Sequence, residues 1–317
     1  MLPPAAPRVD TPLPWRWFEF RRAPVPLSLP LPDDPHAVHA IELDSHLIPF
    51  KFLRQPPQNG QPRPVLMLLH GMGLTIASFR GIAHHLLATH DLLCPDYSGF
   101  SLDHSPLPDH ASIKSFAVSV WRLADALGIG RLSLAGNSLG GGLALMAAVL
   151  APQRVDRILL SNPACFPQAL PGMYRMARVP LWGETMMTLT APEKFVGGIE
   201  YIGYVDKTRF DPVLRALYTA NLAARRNRLR LMQLIRQLPA DAADMTAAVH
   251  LRHLPALHHP VLLTWGLKDP LIAEGAGDRL AATLPNVTQD FHADLAHMPH
   301  EEAPERIGPR WAQFLRN

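Results

Sequence analysis

The sequence predicts an α/β fold: a doubly wound, mostly parallel eight-stranded sheet with a helical insertion. Three observations carry that expectation. Runs such as Val65-Leu66-Met67-Leu68-Leu69 and Val261-Leu262-Leu263-Thr264-Trp265 are apolar at nearly every position, which suits strands covered by helices on both faces. Between such runs lie longer stretches whose apolar residues recur at helical spacing, and a β-α-β order with right-handed crossovers builds a parallel sheet. The alternation then stops between Asn162 and Leu257, where helical patterns continue without a buried-strand run.

Taken in chain order, residues 1–37 are rich in proline and hold an aromatic and basic knot at Trp15, Trp17, Phe18, Phe20, Arg21 and Arg22. They read as an irregular extension lying across the body of the domain. Residues 38–43 and 47–53 are the strands of an edge hairpin turned at Asp44-Ser45-His46. After the strand at 65–69 come a helix at 77–87, a strand at 92–94 and a helix at 113–127, which Gly128 and Gly130 stop. A strand at 132–135, a helix at 139–150 and a strand at 158–160 follow. Residues 163–257 form the insertion, with a notable helical pattern over 211–238. The sheet resumes at 261–265, adds a strand at 287–291 and closes with a helix at 304–316, so the core comprises residues 38–162 and 258–317.

Composition narrows the function classes. Hydrophobic residues make up 48% and charged residues 18% of the 317, with mean hydropathy near zero, which excludes a disordered or coiled-coil protein. The longest wholly apolar run, residues 143–151, has nine residues against the roughly 18 that a bilayer crossing needs. Residues 1–10 lack a basic start followed by an apolar stretch, so no secretory signal and a cytoplasmic address are expected. A net charge of +3 gives no reason to expect a nucleic-acid partner. Cys94 and Cys165 form no C-x-x-C pair and read as small buried residues.

The chemistry starts at Gly136-Asn137-Ser138-Leu139-Gly140, a G-x-S-x-G turn between a strand and a helix. Its glycines leave room for a backbone that lifts the serine hydroxyl off the sheet at the positive end of the next helix, which suits a nucleophile. A serine needs a general base, itself oriented by an acid. Among 16 histidines, His297 follows the last strand on a loop that can overhang the C-terminal edge of the sheet; His300 is its rival. Asp269, directly after the strand at 261–265, is the candidate acid, and Asp294 is a weaker substitute so close in sequence to His297. The order Ser138, Asp269, His297 differs from the chymotrypsin and subtilisin orders. The oxyanion needs two N–H donors, for which the backbone of Leu139 and of Met72 in His70-Gly71-Met72-Gly73 are the candidates. No histidine has acidic or cysteine neighbours at metal-ligand spacing, so neither metal nor cofactor is expected.

Joined in that order, these motifs resemble the α/β-hydrolases that carry a helical cap. Asp96-Tyr97-Ser98-Gly99-Phe100-Ser101 adds to the resemblance, with Phe100 where that family's turn usually has a glycine, as do Gly266 to Asp269 and His297 to Pro304. The resemblance implies that residues 163–257 fold over Ser138 as a lid and form a mainly apolar pocket for a small to medium hydrophobic substrate. Phe166, Met173, Met176, Trp182, Met186, Met187, Leu189, Phe195, Ile199, Tyr201 and Tyr204 are the stock from which that pocket and the cap's own packing are drawn. Arg225, Arg226, Arg228, Arg230 and Arg236 form a basic helical run, either a solvated face or a rim that attracts a carboxylate. Relatives that dehalogenate or open epoxides use a carboxylate where this chain has Ser138, and the position after the strand at 158–160, where a few relatives place the acid, carries Asn162. A serine esterase is the leading expectation. Carbon–carbon bond cleavage of a ring-fission product, cofactor-free perhydrolysis and a non-catalytic binding protein are the alternatives.

Overall fold

A strand buried on both faces has no polar position to fill, and the apolar runs accordingly become the strands of one sheet. The computed structural model describes residues 39–43, 46–54, 61–96, 113–168, 172–237 and 251–317. The extension at 1–37, residues 97–101 of the turn that begins at Asp96, and the stretch 238–250 of the insertion lie outside the described residues. The strands are β1 (His39–Leu43), β2 (His46–Leu53), β3 (Val65–Leu69), β4 (Asp91–Pro95), β5 (Leu132–Asn137), β6 (Val155–Ser161), β7 (Val261–Gly266) and β8 (Val287–His292). They form an eight-stranded sheet in the order β1-β2-β4-β3-β5-β6-β7-β8. Because β2 is antiparallel to both β1 and β4 while the other pairs are parallel, β2 alone runs against the rest.

Helices α1 (Arg80–Leu87), α2 (Ile113–Ala126) and α3 (Leu139–Leu150) alternate with the first parallel strands. Between β6 and β7 the described elements are helical: α4 (Gly172–Ala177), α5 (Trp182–Leu189), α6 (Pro192–Gly203), α7 (Pro212–Ala223) and α8 (Arg225–Gln237). The chain ends in α9 (Ala276–Thr283), α10 (Pro299–Glu302) and α11 (Pro304–Arg316). Strand residues alternate between two cores. Met67, Leu69, Leu134 and Ile158 pack with α2 and α3, whereas Leu66, Leu68, Ala135 and Leu159 pack with α1 and α11.

That division creates the crevice. The chain leaves β3 for α1 on one face and leaves the adjacent β5 for α3 on the other, so the two loops diverge at the C-terminal edge of the sheet. In the insertion, the pattern at 211–238 is two helices rather than one. Ala224 is extended (φ −70°, ψ 113°), and the buried Arg228 guanidinium turns back to donate to the carbonyls of Leu222 and Ala223 at the end of α7. A cation on those carbonyls replaces the bonds that a continuous helix would have made.

Trp311 shows how α11 is fastened. Its ring is fully buried and its Nε1 donates to Thr264 Oγ1 (2.9 Å), which in turn donates to Asp290 Oδ2 (3.1 Å). Trp311→Phe keeps an apolar ring but removes the donor, and should lower stability by about 1–3 kcal/mol, read as a lower urea midpoint at unchanged slope. A wild-type midpoint would show that the bond contributes nothing net.

Candidate active site

Ser138 sits between β5 and α3 with φ 54° and ψ −122°, a region that a residue with a side chain rarely occupies. The glycines on either side make this possible. A Cβ on Gly136 would lie 2.2 Å from the Gly140 carbonyl oxygen, and one on Gly140 would lie 2.0 Å from that of Leu69. Both clashes are with backbone, so no rotamer change relieves them. The turn is then locked by its own amides: Ser138 N–H donates to the Ser161 carbonyl (3.1 Å), and the Ser138 carbonyl accepts from Gly141 (3.0 Å), Gly142 (3.1 Å) and Ala164 (2.8 Å).

The loops after β7 and β8 bring two further candidates together. His297 Nδ1 lies 2.6 Å from Asp269 Oδ2, in a pair that is almost wholly buried. Burial alone would push the Asp269 carboxyl up. The charge of His297, its hydrogen bond, and N–H groups of Leu271 (2.7 Å) and Ile272 (3.1 Å) on Oδ1 outweigh burial and hold the carboxyl below its usual range. With Nδ1 committed to a carboxylate, Nε2 is the ring atom left for substrate chemistry. That atom is buried and makes no hydrogen bond, so the bond to Ser138 Oγ expected of a working pair is open here.

Two asparagines hold these groups in register. Asn137, the residue before Ser138, donates from Nδ2 to the His297 carbonyl (3.0 Å) and to that of Ser161 (2.9 Å). Asn162, at φ 42° after β6, donates to Asp269 Oδ2 (2.7 Å) and accepts the Gly266 N–H (2.9 Å). Asn162 cannot serve as the acid. Its actual part, holding the acid, could have been suspected from an amide placed at a strand end where a neighbouring strand supplies a carboxylate.

The loop after β3 lies against the Ser138 turn: a Cβ on Gly71 would stand 3.3 Å from Ser138 Cβ. His70 anchors this loop from below through Asp96 (3.2 Å) and the Gly71 carbonyl (2.9 Å). Leu139 is the first residue of α3, where an N–H has no carbonyl one turn earlier to bond. Met72 forms part of an apolar cavity of about 240 Å³ whose other walls include Met186, Met187, Phe195, Ile199 and Ile202. Of the insertion's apolar stock, Met176, Trp182, Leu189 and Tyr201 instead face solvent. None of the five arginines of α8 lines the cavity; Arg236 pairs with Glu184 (2.5 Å), Arg225 reaches Thr188 (3.2 Å), and among the described residues Lys194 is the one charged residue of the lining.

The rivals are occupied elsewhere. Asp294 makes a two-pronged pair with Arg306 (3.0 and 3.1 Å) at the surface, and that hydrogen bonding holds its carboxyl low. His300 is fully buried between Ser78 Oγ (3.0 Å) and Ser161 Oγ (3.4 Å). Burial pushes the Cys165 thiol up to about 12, which leaves it a poor nucleophile.

With this geometry in place, comparison with known proteins identifies a family. The profile of the alpha/beta hydrolase fold matches residues 64–304. An uncharacterised protein of Mycobacterium tuberculosis is 26% identical over 257 residues, covering 77% of this chain and 73% of its own. Haloalkane dehalogenase 2 of the same organism is 28% identical over 252 residues, covering 77% and 85%. The crystal structure of the enol-lactonase from Burkholderia xenovorans superposes with a TM-score of 0.72 at 16% identity, covering 88% of this chain and all (100%) of that one.

The buried histidine makes a prediction about pH. Burial, and then the charge of His297, lower the His300 pKa to about 3, whereas an unfolded histidine protonates near 6.5. Its contribution to stability is therefore complete above about pH 6.5 and is lost progressively as pH falls toward about 3. His300→Gln should flatten the fall of unfolding free energy across that window relative to the wild type, measured by urea titration at each pH. His90, lowered to about 4, keeps its own slope of the same sign in both proteins, and Glu301, raised by burial, its opposite one. An unchanged slope would show that His300 is not held neutral.

Proposed function

The chain belongs to the α/β-hydrolase fold family, and on that premise we propose that it hydrolyses carboxylic esters of small to medium hydrophobic acids through an acyl-enzyme on Ser138. Ser138 Oγ adds to the ester carbonyl while His297 Nε2 takes its proton, and Asp269 stabilises the imidazolium that results. The N–H groups of Met72 and Leu139 donate to the oxyanion. The imidazolium then gives its proton to the departing alcohol oxygen, leaving the acyl ester of Ser138. Water attacks that ester with His297 again as base, and the acid leaves as Ser138 recovers its proton.

The observation that carries this reading is the buried Asp269–His297 pair with an unbonded Nε2, joined through Asn137 to the strained turn that holds Ser138. A serine at that position also separates the chain from chemistry that needs a carboxylate there. Displacing a halide would leave an alkyl ether on serine, which water does not cleave, whereas an acyl ester turns over. Residues 163–257 act as the cap over a core of residues 38–162 and 258–317, and their cavity takes the acyl chain. Among the described residues the lining is apolar apart from Tyr174, Thr190 and the single cation Lys194, so apolar fit sets the preference.

Four outcomes test the proposal. A fluorophosphonate should label Ser138 and no other serine by peptide mass mapping. Ser138→Ala and His297→Gln should each lower kcat by roughly 10⁴ to 10⁶-fold, with little further loss in the double variant. Asp269→Asn should cost on the order of 10⁴-fold, and Asp294→Asn about tenfold or less. The kcat/KM of p-nitrophenyl esters should climb nearly fourfold per methylene from acetate toward hexanoate, because each buried methylene contributes about 0.8 kcal/mol, and then fall once the cavity is full. A flat series with steep salt dependence would point instead to a carboxylate-bearing substrate and to Lys194.

A further inference from the structure

Beyond the Ser138 site, ionisable side chains are also buried in the segment that follows His297. Glu302 is 2% exposed, and a carboxylate is costly to bury unless its oxygens are used. Its Oε1 accepts the N–H of Val205 (2.7 Å) and Asp206 (2.9 Å), and its Oε2 accepts the N–H of Ala296 (2.8 Å). One carboxylate thus ties the residue before His297 to the chain leaving α6. The same stretch of the insertion grips the histidine loop at every step. The Ile202 and Gly203 carbonyls accept the N–H groups of His297 and Met298 (both 3.3 Å), and the Tyr204 hydroxyl donates to Glu301 Oε2 (2.6 Å). Gly203 is pressed so closely that a Cβ there would lie 1.8 Å from Met298 Cε. Ile202 belongs to both structures, since it also lines the apolar cavity.

We propose that Glu302 is a positioning residue that couples filling of the apolar cavity to the orientation of the His297 imidazole. The proposal rests on the reading of Ser138 and His297 as nucleophile and base. An acyl chain that fills the cavity packs against Ile202, and the segment 202–206 that carries Ile202 is fastened to Ala296, His297 and Met298. Filling the cavity therefore removes freedom from the loop that aims the imidazole. Glu302 closes the far end of this bracket, because without its two oxygens three N–H groups lose their acceptors. Proton transfer depends steeply on such aim, with a misplacement of 1 Å costing on the order of 10²-fold. Chain length is then expressed in kcat and not only in KM.

Steady-state kinetics with p-nitrophenyl acetate, butyrate and hexanoate test this on the full chain. p-Nitrophenolate is a good leaving group, which speeds acylation and makes breakdown of the acyl-enzyme, with the acyl chain still in the cavity, the step expected to set kcat. Wild-type kcat should rise along the series. Glu302→Gln sets an amide NH₂ against N–H donors; it should lower kcat about 10²-fold for the hexanoate but less than about tenfold for the acetate, with KM values within about threefold of wild type. Gly203→Ala leaves Glu302 in place and displaces Met298, and should flatten the same series from the insertion's side, which decides the matter if Glu302→Gln does not fold. A wild-type kcat independent of chain length, or an equal fractional loss for all three esters in the folded variants, would overturn the coupling. Failure of a fluorophosphonate to label wild-type Ser138 would overturn the underlying reading of the nucleophile, a result distinct from either.

Discussion

The close approach of α3 to β3 and β5 is the constraint on which the rest of this structure depends. Gly140 brings helix backbone against the carbonyl of Leu69, and Gly136 lets the strand pass beneath that helix, at separations where a single methyl group has no room. The chain between them must turn within Asn137 and Ser138, and the positive φ of Ser138 is the consequence. The same contact delivers the β3 loop to the serine, because Gly71 stands against Ser138 Cβ. Backbone strain at one residue is thus offset by two packed cores that meet across the sheet.

Around that turn, amide side chains tie the ends of the strands to the loops that follow them. Asn137 bridges the carbonyls of Ser161 and His297, and Asn162 bridges Gly266 and Asp269. An amide suits both places because donors must reach carbonyls and a carboxylate. At residue 162 an aspartate would set a second negative charge beside Asp269 and disfavour its ionised form. A neutral donor there leaves the carboxylate charged and turned toward the imidazole.

The insertion is tied to the sheet through polar contacts as much as through apolar area. Val196, Tyr218 and Leu222 join the core of α1 and α11, while Glu301 and Glu302 take hydroxyl and amide donors from the chain after α6 and from α7. Buried carboxylates so placed tolerate little sliding, since each displacement leaves a donor without its acceptor. The arginines of α8 serve a related end: Arg228 caps α7, and Arg236 clamps α5 through Glu184.

What the sequence determined by itself is what depends on local pattern. Strands β3, β5, β6 and β7 were legible because burial on both faces leaves few polar positions, α11 because its apolar residues recur at helical spacing, and α3 because an apolar run too long for a strand follows the Ser138 turn. Ser138 stood out because a strained turn between a strand and a helix demands glycines at fixed offsets, and His297 and Asp269 because each follows a strand end. The break at Ala224 was not legible, since what permits it is a side chain four residues later bonding back to carbonyls. Nor were the parts taken by Asn137, Asn162 and Glu302, whose partners lie 160, 107 and 97 residues away. Only the tertiary structure decides such contacts, because a hydrogen bond between distant segments depends on where the sheet has brought their ends, and residue type alone does not record that place.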